Sequence, residues 1–253
     1  CESGFGAGLV PAHQIGSLGR PHGVPMISVG PHRCDAIAAC SAVCSGAGKQ
    51  LRNSPAIAPA TAGCCEDGAM SRIELLDVTT APITAQSYFA DGDPGPIVAA
   101  LANVPELLGP TLAFVGAALG QAAATTRHKE FAILRTSVLM GCRYCVHAHT
   151  AVALDVGLDV LEVRALRGEV PIEEAFPDEA ERALVRWIDA MAGASGPVGD
   201  DIWSSARAMW PDHLLVELSV TIGATLFLNR FATGFELPTS QGVLDRLGRE
   251  DMR

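Results

Sequence analysis

Two cysteines three residues apart, with a histidine four residues beyond the second, are the residues of this sequence best suited to chemistry: Cys142, Cys145 and His149. On an ideal helix, at about 100° per residue, the three fall within an arc of roughly 60°, so one face carries two thiols and an imidazole. A thiol reacts as its thiolate, and an unperturbed cysteine with a pKa of about 8.5 is only a few per cent ionised at neutral pH, so some group must take the proton. His149 is spaced to do this for Cys145. Glu130, on the preceding segment, is placed to orient the imidazole and stabilise its charged form. The chemistry this set supports is a cycle between dithiol and disulfide with a Glu130–His149 proton relay. By the same helical arithmetic, Tyr144 and His147 point to the other side.

Two helices must position these groups. From about Arg127 to Met140 the chain is apolar beyond Phe131 apart from Arg135, Thr136 and Ser137, which predicts a mostly buried helix with Glu130 near its start. Gly141 allows the turn, and Cys142 opens the second helix. A thiol at a helix N-terminus is acidified by unpaired backbone N–H groups and the helix dipole, and the neighbouring Arg143 is expected to act in the same sense. Cys145 is assigned as the relay-activated thiol and Cys142 as its disulfide partner. Which sulfur attacks first is left open, because the helix terminus favours Cys142 and the histidine favours Cys145.

The pattern Glu130, eleven residues, Cys142-Arg-Tyr-Cys145, three residues, His149 resembles the signature of the alkylhydroperoxidase D-like branch of the carboxymuconolactone decarboxylase superfamily. Leu134-Arg135, Ala151 through Gly157-Leu158, and the Leu218 to Asn229-Arg230-Phe231 segment are similar too, so the resemblance covers most of Met70 to Arg253. The archetypal enzyme has a histidine between its cysteines, where this chain has Tyr144. The resemblance implies an all-α, AhpD-like helical domain that assembles as a homotrimer or as an assembly of trimers. It implies a thiol peroxidase that reduces a small-molecule hydroperoxide through Cys142 and Cys145. Regeneration would come from a dithiol reductant of the lipoyl or thioredoxin kind, with no haem, flavin or metal cofactor, in the cytoplasm.

Other readings of the motif were weighed. Two thiols can be small buried hydrophobes without chemistry. Two cysteines with His149 and Glu130 or His147 could form a zinc tetrahedron, although this spacing on one helix is not a usual structural zinc pattern. A non-catalytic redox switch that alters a partner contact on oxidation uses the same pair. A decarboxylase like the superfamily's namesake is the remaining alternative, in a branch that lacks the cysteine pair.

The rest of the sequence bounds the setting. Its 253 residues are 49% hydrophobic and 18% charged, enough for one substantial core, and the net charge of −10 with no basic run excludes nucleic acid as a principal partner. Residues 1–69 hold six of the eight cysteines and are about one quarter Gly and Pro without sustained periodicity. They read as a low-structure extension upstream of a start at Met70, with residues 70–253 as the helical domain. Ser71 to Tyr88 reads as an arm. Short helices follow at Ile97–Val104 and Thr111–Ala124, separated by Pro105 and Pro110. Gly157 closes the cysteine helix, and Asp159 caps the next short one, which ends at Gly168. Asp178 with Glu181 resembles a capping box. Another helix spans Asp200 to Trp210, and Asp212 opens the longest. That last one, Leu214 to Ala232, is apolar enough to suggest a membrane span, but Glu217, Asn229 and Arg230 argue for a buried helix in an oligomer.

Overall fold

The computed structural model describes residues 71–252 except 121, 194 and 195, so the expected extension at 1–69 lies outside the described residues. Among the described residues there are ten α-helices, one 3-10 turn at Gln86–Phe89 and no strand. The helices are α1 (Pro96–Leu101), α2 (Pro105–Leu119), α3 (Thr126–Leu139), α4 (Arg143–Asp155), α5 (Val160–Leu166), α6 (Ile172–Ala175), α7 (Glu179–Gly193), α8 (Asp200–Met209), α9 (Asp212–Phe235) and α10 (Gln241–Arg249).

Helix α3 is the hub, packed against α4, α7 and α9. Its Phe131 and Leu134 meet Leu184 and Ile188 of α7 and Leu218 and Ile222 of α9 in the main core. A helix covered on nearly every side has no solvated face for its charges, and those it carries are paired. Lys129, 1% exposed, sits 2.8 Å from Glu217 of α9 and donates to the carbonyls of Ala118 and Gly120. Glu217 in turn accepts from the backbone N–H groups of Ala123 and Ala124, tying the α2–α3 loop to α9. By length and apolar composition α9 could cross a membrane, but it is packed into this core and bears that ion pair.

The glycines mark the helix ends as expected: Gly141, Gly157 and Gly168 all have positive φ, and Asp159 with Glu162 forms a capping box on α5. Three expectations differ from the structure. Pro105 opens α2, and the helix continues through Pro110. The ring removes one hydrogen bond, and the Glu106 carbonyl it would have used lies on an exposed turn where water replaces it. Asp178 does cap Ala180, at 2.9 Å, but Glu181 pairs with Arg127 of α3 across the core edge and does not turn back. Helix α10 was not anticipated: its nine residues are too few to show a period, and it is held on α4 by Leu247 and the bidentate Arg246–Asp155 pair.

Candidate active site

Cys142 is fixed by both helices it joins. Helix α3 ends with Gly141 at φ 63°, the Gly141 N–H bonded to the Val138 carbonyl and the Cys142 N–H bonded to the Ser137 carbonyl. That is a Schellman ending, and it needs the left-handed conformation glycine takes most cheaply. Cys142 then serves as N-cap of α4, with extended backbone and its sulfur accepting the Cys145 N–H at 3.4 Å. A side chain that must satisfy an orphan N–H at a helix start has its direction set by the backbone.

The two sulfurs share a hydrogen bond at 2.6 Å, and both are buried, with Cys142 0% and Cys145 5% exposed. They lie in a small apolar cluster with Ala100 of α1 and with Ala232 and Leu237 at the end of α9. Ile73 and Leu75 of the arm, Ile97, Tyr144, Phe231 and Phe235 pack against that cluster. The arm is anchored there by the Arg72 N–H to the Phe235 carbonyl at 2.9 Å, by the Ser71 hydroxyl to the same carbonyl, and by an Arg72–Glu236 ion pair.

Glu130 and His149 meet as expected: Nδ1 of His149 lies 2.9 Å from Oε2 of Glu130, whose side chain is 6% exposed. All four expected site residues are therefore on the adjoining faces of α3 and α4. No hydrogen bond joins His149 to either sulfur among the described residues. Burial works against the charged imidazole. The Glu130 carboxylate, its hydrogen bond and the negative charge of Cys142 outweigh it and hold His149 above its ordinary value.

The sulfurs separate in acidity. The hydrogen bond shared with the Cys145 thiol is the main influence holding Cys142 below the usual thiol range, against burial, with the Cys145 N–H and the His149 charge assisting. Cys145 is driven far above that range by the same hydrogen bond, by burial and by the Cys142 charge. These directions favour Cys142, at the helix terminus, over Cys145 as the activated thiol: the Cys145 N–H points at the N-cap sulfur and the imidazole charge bears on it. Arg143 plays no part in the shift: it is exposed and lines a cavity of about 280 Å³ with His147 and Arg167, on the adjoining face of α4.

Tyr144 is the residue beside the site that helical arithmetic misplaced. It packs beside both sulfurs, and burial, followed by the negative charge of Cys145, Cys142 and Asp93, pushes its phenol up to about 12. The error lies in treating Cys142 as helical, since an N-cap has extended dihedrals and 100° per residue does not apply across it. His147, by contrast, does face away and meets the Thr239 hydroxyl at 3.2 Å. Among the described residues no three His, Cys, Asp or Glu side chains converge as a metal set would need.

The fold is the AhpD-like helical fold. A protein of unknown function from Agrobacterium tumefaciens, described as a candidate antioxidant defence protein AhpD, is 28% identical, with 56% of this chain and 95% of that one covered and a TM-score of 0.51. An uncharacterised peroxidase-related protein from Ralstonia eutropha JMP134, described as an alkylhydroperoxidase AhpD core, is 18% identical, with 68% and 94% covered and a TM-score of 0.60. The debrominase Bmp8, solved with 2,3,4-tribromopyrrole, is 16% identical, with 72% and 100% covered and a TM-score of 0.59. No curated protein matches the chain. Residues 105–190, from α2 into α7 and including Glu130 to His149, match the model of the carboxymuconolactone decarboxylase family.

Proposed function

We propose that the protein is a CxxC-dependent thiol peroxidase and disulfide oxidoreductase of the peroxidase-related kind that the family resemblance suggests. The observation that supports this reading is geometric: two buried sulfurs 2.6 Å apart, one of them the N-cap of α4, beside a Glu130–His149 pair, with the charges around them favouring Cys142 as thiolate and Cys145 as thiol. Cys142 attacks the hydroperoxide. Its proton goes to His149, whose cation Glu130 stabilises. The resulting sulfenic acid condenses with the Cys145 thiol and expels water, and an external dithiol of lipoyl or thioredoxin type restores both thiols. Because one fold can host many reactions, as the debrominase illustrates, the site and not the fold supports this assignment.

The setting proposed with it is a homotrimer, or an assembly of trimers, in the reducing cytoplasm. Val216, Val220 and Phe227 leave an exposed apolar stripe along α9, and Leu107 and Phe114 leave another on α2, as subunit faces would. Light scattering at micromolar concentration checks the assembly, and a monomeric mass would refute it.

The activity is tested by hydroperoxide consumption with a regenerating dithiol. Wild type should turn over many times. Cys145→Ser should give a single oxidation of Cys142 and stop, and Cys142→Ser should give none. A Cys142→Ser, Cys145→Ser chain that still consumes hydroperoxide at the wild-type rate would sink the reading. A wild type oxidised once and never regenerated by any dithiol would favour a redox switch.

A further inference from the structure

Cleaving a hydroperoxide leaves a poor leaving group. When sulfur takes the outer oxygen, the inner one departs as hydroxide or alkoxide, the conjugate base of an acid with a pKa of about 15.7 for water. In a wet site water supplies the missing proton. Here the sulfurs are buried among Ala100, Ala232, Leu237 and the side chains of Ile73, Ile97 and Phe231, so a protein group must do so.

Three protonated groups are near. The two cysteines are hydrogen-bonded to each other, 2.6 Å apart, which occupies the hydrogen between them. In-line displacement also puts the leaving oxygen on the far side of the attacked one, so its donor stands further out than a group already touching that sulfur. His149 binds Glu130 through Nδ1 and makes no hydrogen bond to either sulfur among the described residues. Tyr144 packs on the same cluster, and no hydrogen bond to its hydroxyl is formed among the described residues. We propose, building on the peroxidase reading above, that Tyr144 is a catalytic residue whose phenol protonates the leaving oxygen as the Cys142 thiolate attacks the other.

The step balances. Cys142 sulfur loses two electrons and gains the outer oxygen with its hydrogen, and the O–O bond takes the electrons and breaks. The inner oxygen leaves as alcohol with the Tyr144 proton. The tyrosinate is then reprotonated by the His149 imidazolium, which holds the proton Cys142 gave up. Burial and the surrounding negative charges keep the phenol protonated at neutral pH, so the donor is in its acid form before each attack. Its value of about 12 still lies below that of the alcohol formed, so the transfer runs downhill.

Tyr144→Phe in the full chain tests this by leaving group. Stopped-flow oxidation would be followed with tert-butyl hydroperoxide, whose alkoxide needs a proton, and with peracetic acid, whose acetate does not. Iodoacetamide alkylation reports thiolate alone. The expected result is a loss of about 10²-fold with the alkyl hydroperoxide, with peracid oxidation and alkylation within about twofold of wild type. Equal slowing of all three would make Tyr144 a packing residue, and no slowing would dismiss it; either overturns the proposal. If the Phe variant fails to melt cooperatively, 3-fluorotyrosine at position 144 serves: a more acidic phenol should change the alkyl hydroperoxide rate and leave the peracid rate alone, and an unchanged ratio overturns the proposal. A wild type inert to both oxidants would fail the peroxidase reading itself. A wild type that reacts, beside an unaffected Tyr144→Phe, fails only the role of Tyr144.

Discussion

Ionising a cysteine that water does not reach requires other groups to hold the charge, and at Cys142 three do so: the Cys145 thiol, the Cys145 N–H and the His149 cation. Removing one leaves a measurable debt. His149→Gln should move the titration midpoint of Cys142, read by the pH dependence of alkylation, upward toward the ordinary thiol value. Thiolate is then lost at neutral pH and regained in alkali. Peroxidase rate should fall by about 10²-fold at pH 7, with the gap to wild type closing as pH rises. An unmoved midpoint would disconnect the imidazole from the thiol. Stability carries the opposite sign for this histidine. Its folded value is raised, so its pairing with Glu130 stabilises fully below the unfolded value of about 6.5 and is lost as pH rises through the folded one. At this scale the Glu130, Cys142, Cys145 and His149 set was legible because spacing alone puts Cys145 and His149 on one helical face. The place of Tyr144 was not, since it depends on the extended backbone of Cys142, across which the helical angle does not apply.

Between residue and fold stand the junctions, and the α3–α4 junction is the most demanding. Gly141 sits at φ 63° with open space where a Cβ would go, so Gly141→Ala meets backbone strain and no clash. The expected cost is about 1–2 kcal/mol, with Gly141→Asn losing less because asparagine tolerates the left-handed region. Urea melts give the values. A neutral alanine would mean that the Schellman ending relaxes freely and does not aim Cys142. The arm from Ser71 to Leu76 makes a second junction, over the thiols. Its Arg72–Glu236 pair is 61% and 54% exposed, and such a pair is worth about 0–1 kcal/mol. Arg72→Ala should therefore speed iodoacetamide alkylation by no more than about fivefold, whereas Ile73→Asp, which breaks the apolar contact, should speed it much more. Equal rates in wild type and Ile73→Asp would show that reagents reach the sulfurs by another route. Helix boundaries carrying Gly or Asp could be read from sequence here. The arm's anchorage could not, because the bonds from Ser71 and Arg72 to the end of α9 join residues more than 160 positions apart.

For the molecule as a whole, apolar content and helical spacing were enough to forecast an all-α domain, and α3 was legible as its buried centre. The Lys129–Glu217 pair behind the site was not, since a lysine beside an apolar run gives no sign of a partner 88 residues later. The domain boundary is the remaining question at this scale. Among the described residues the arm's first anchor is Ser71, and every hydrogen bond that holds it there is made to residues from 99 onward or within the arm. Removing residues 1–69 leaves those bonds intact, along with the clusters around Phe131, Phe89 and Cys142 that make up the described core. A chain from Met70 to Arg253 is accordingly expected to melt in one cooperative transition at the temperature of the full chain and to match its rate of hydroperoxide reduction. Its two thiols should alkylate at the full chain's rate as well, which is the more sensitive reading because the arm lies directly over them. Faster alkylation or a lowered, broadened melt in the shorter chain would mean that residues 1–69 brace the arm, and the boundary of the domain would then move upstream of Met70.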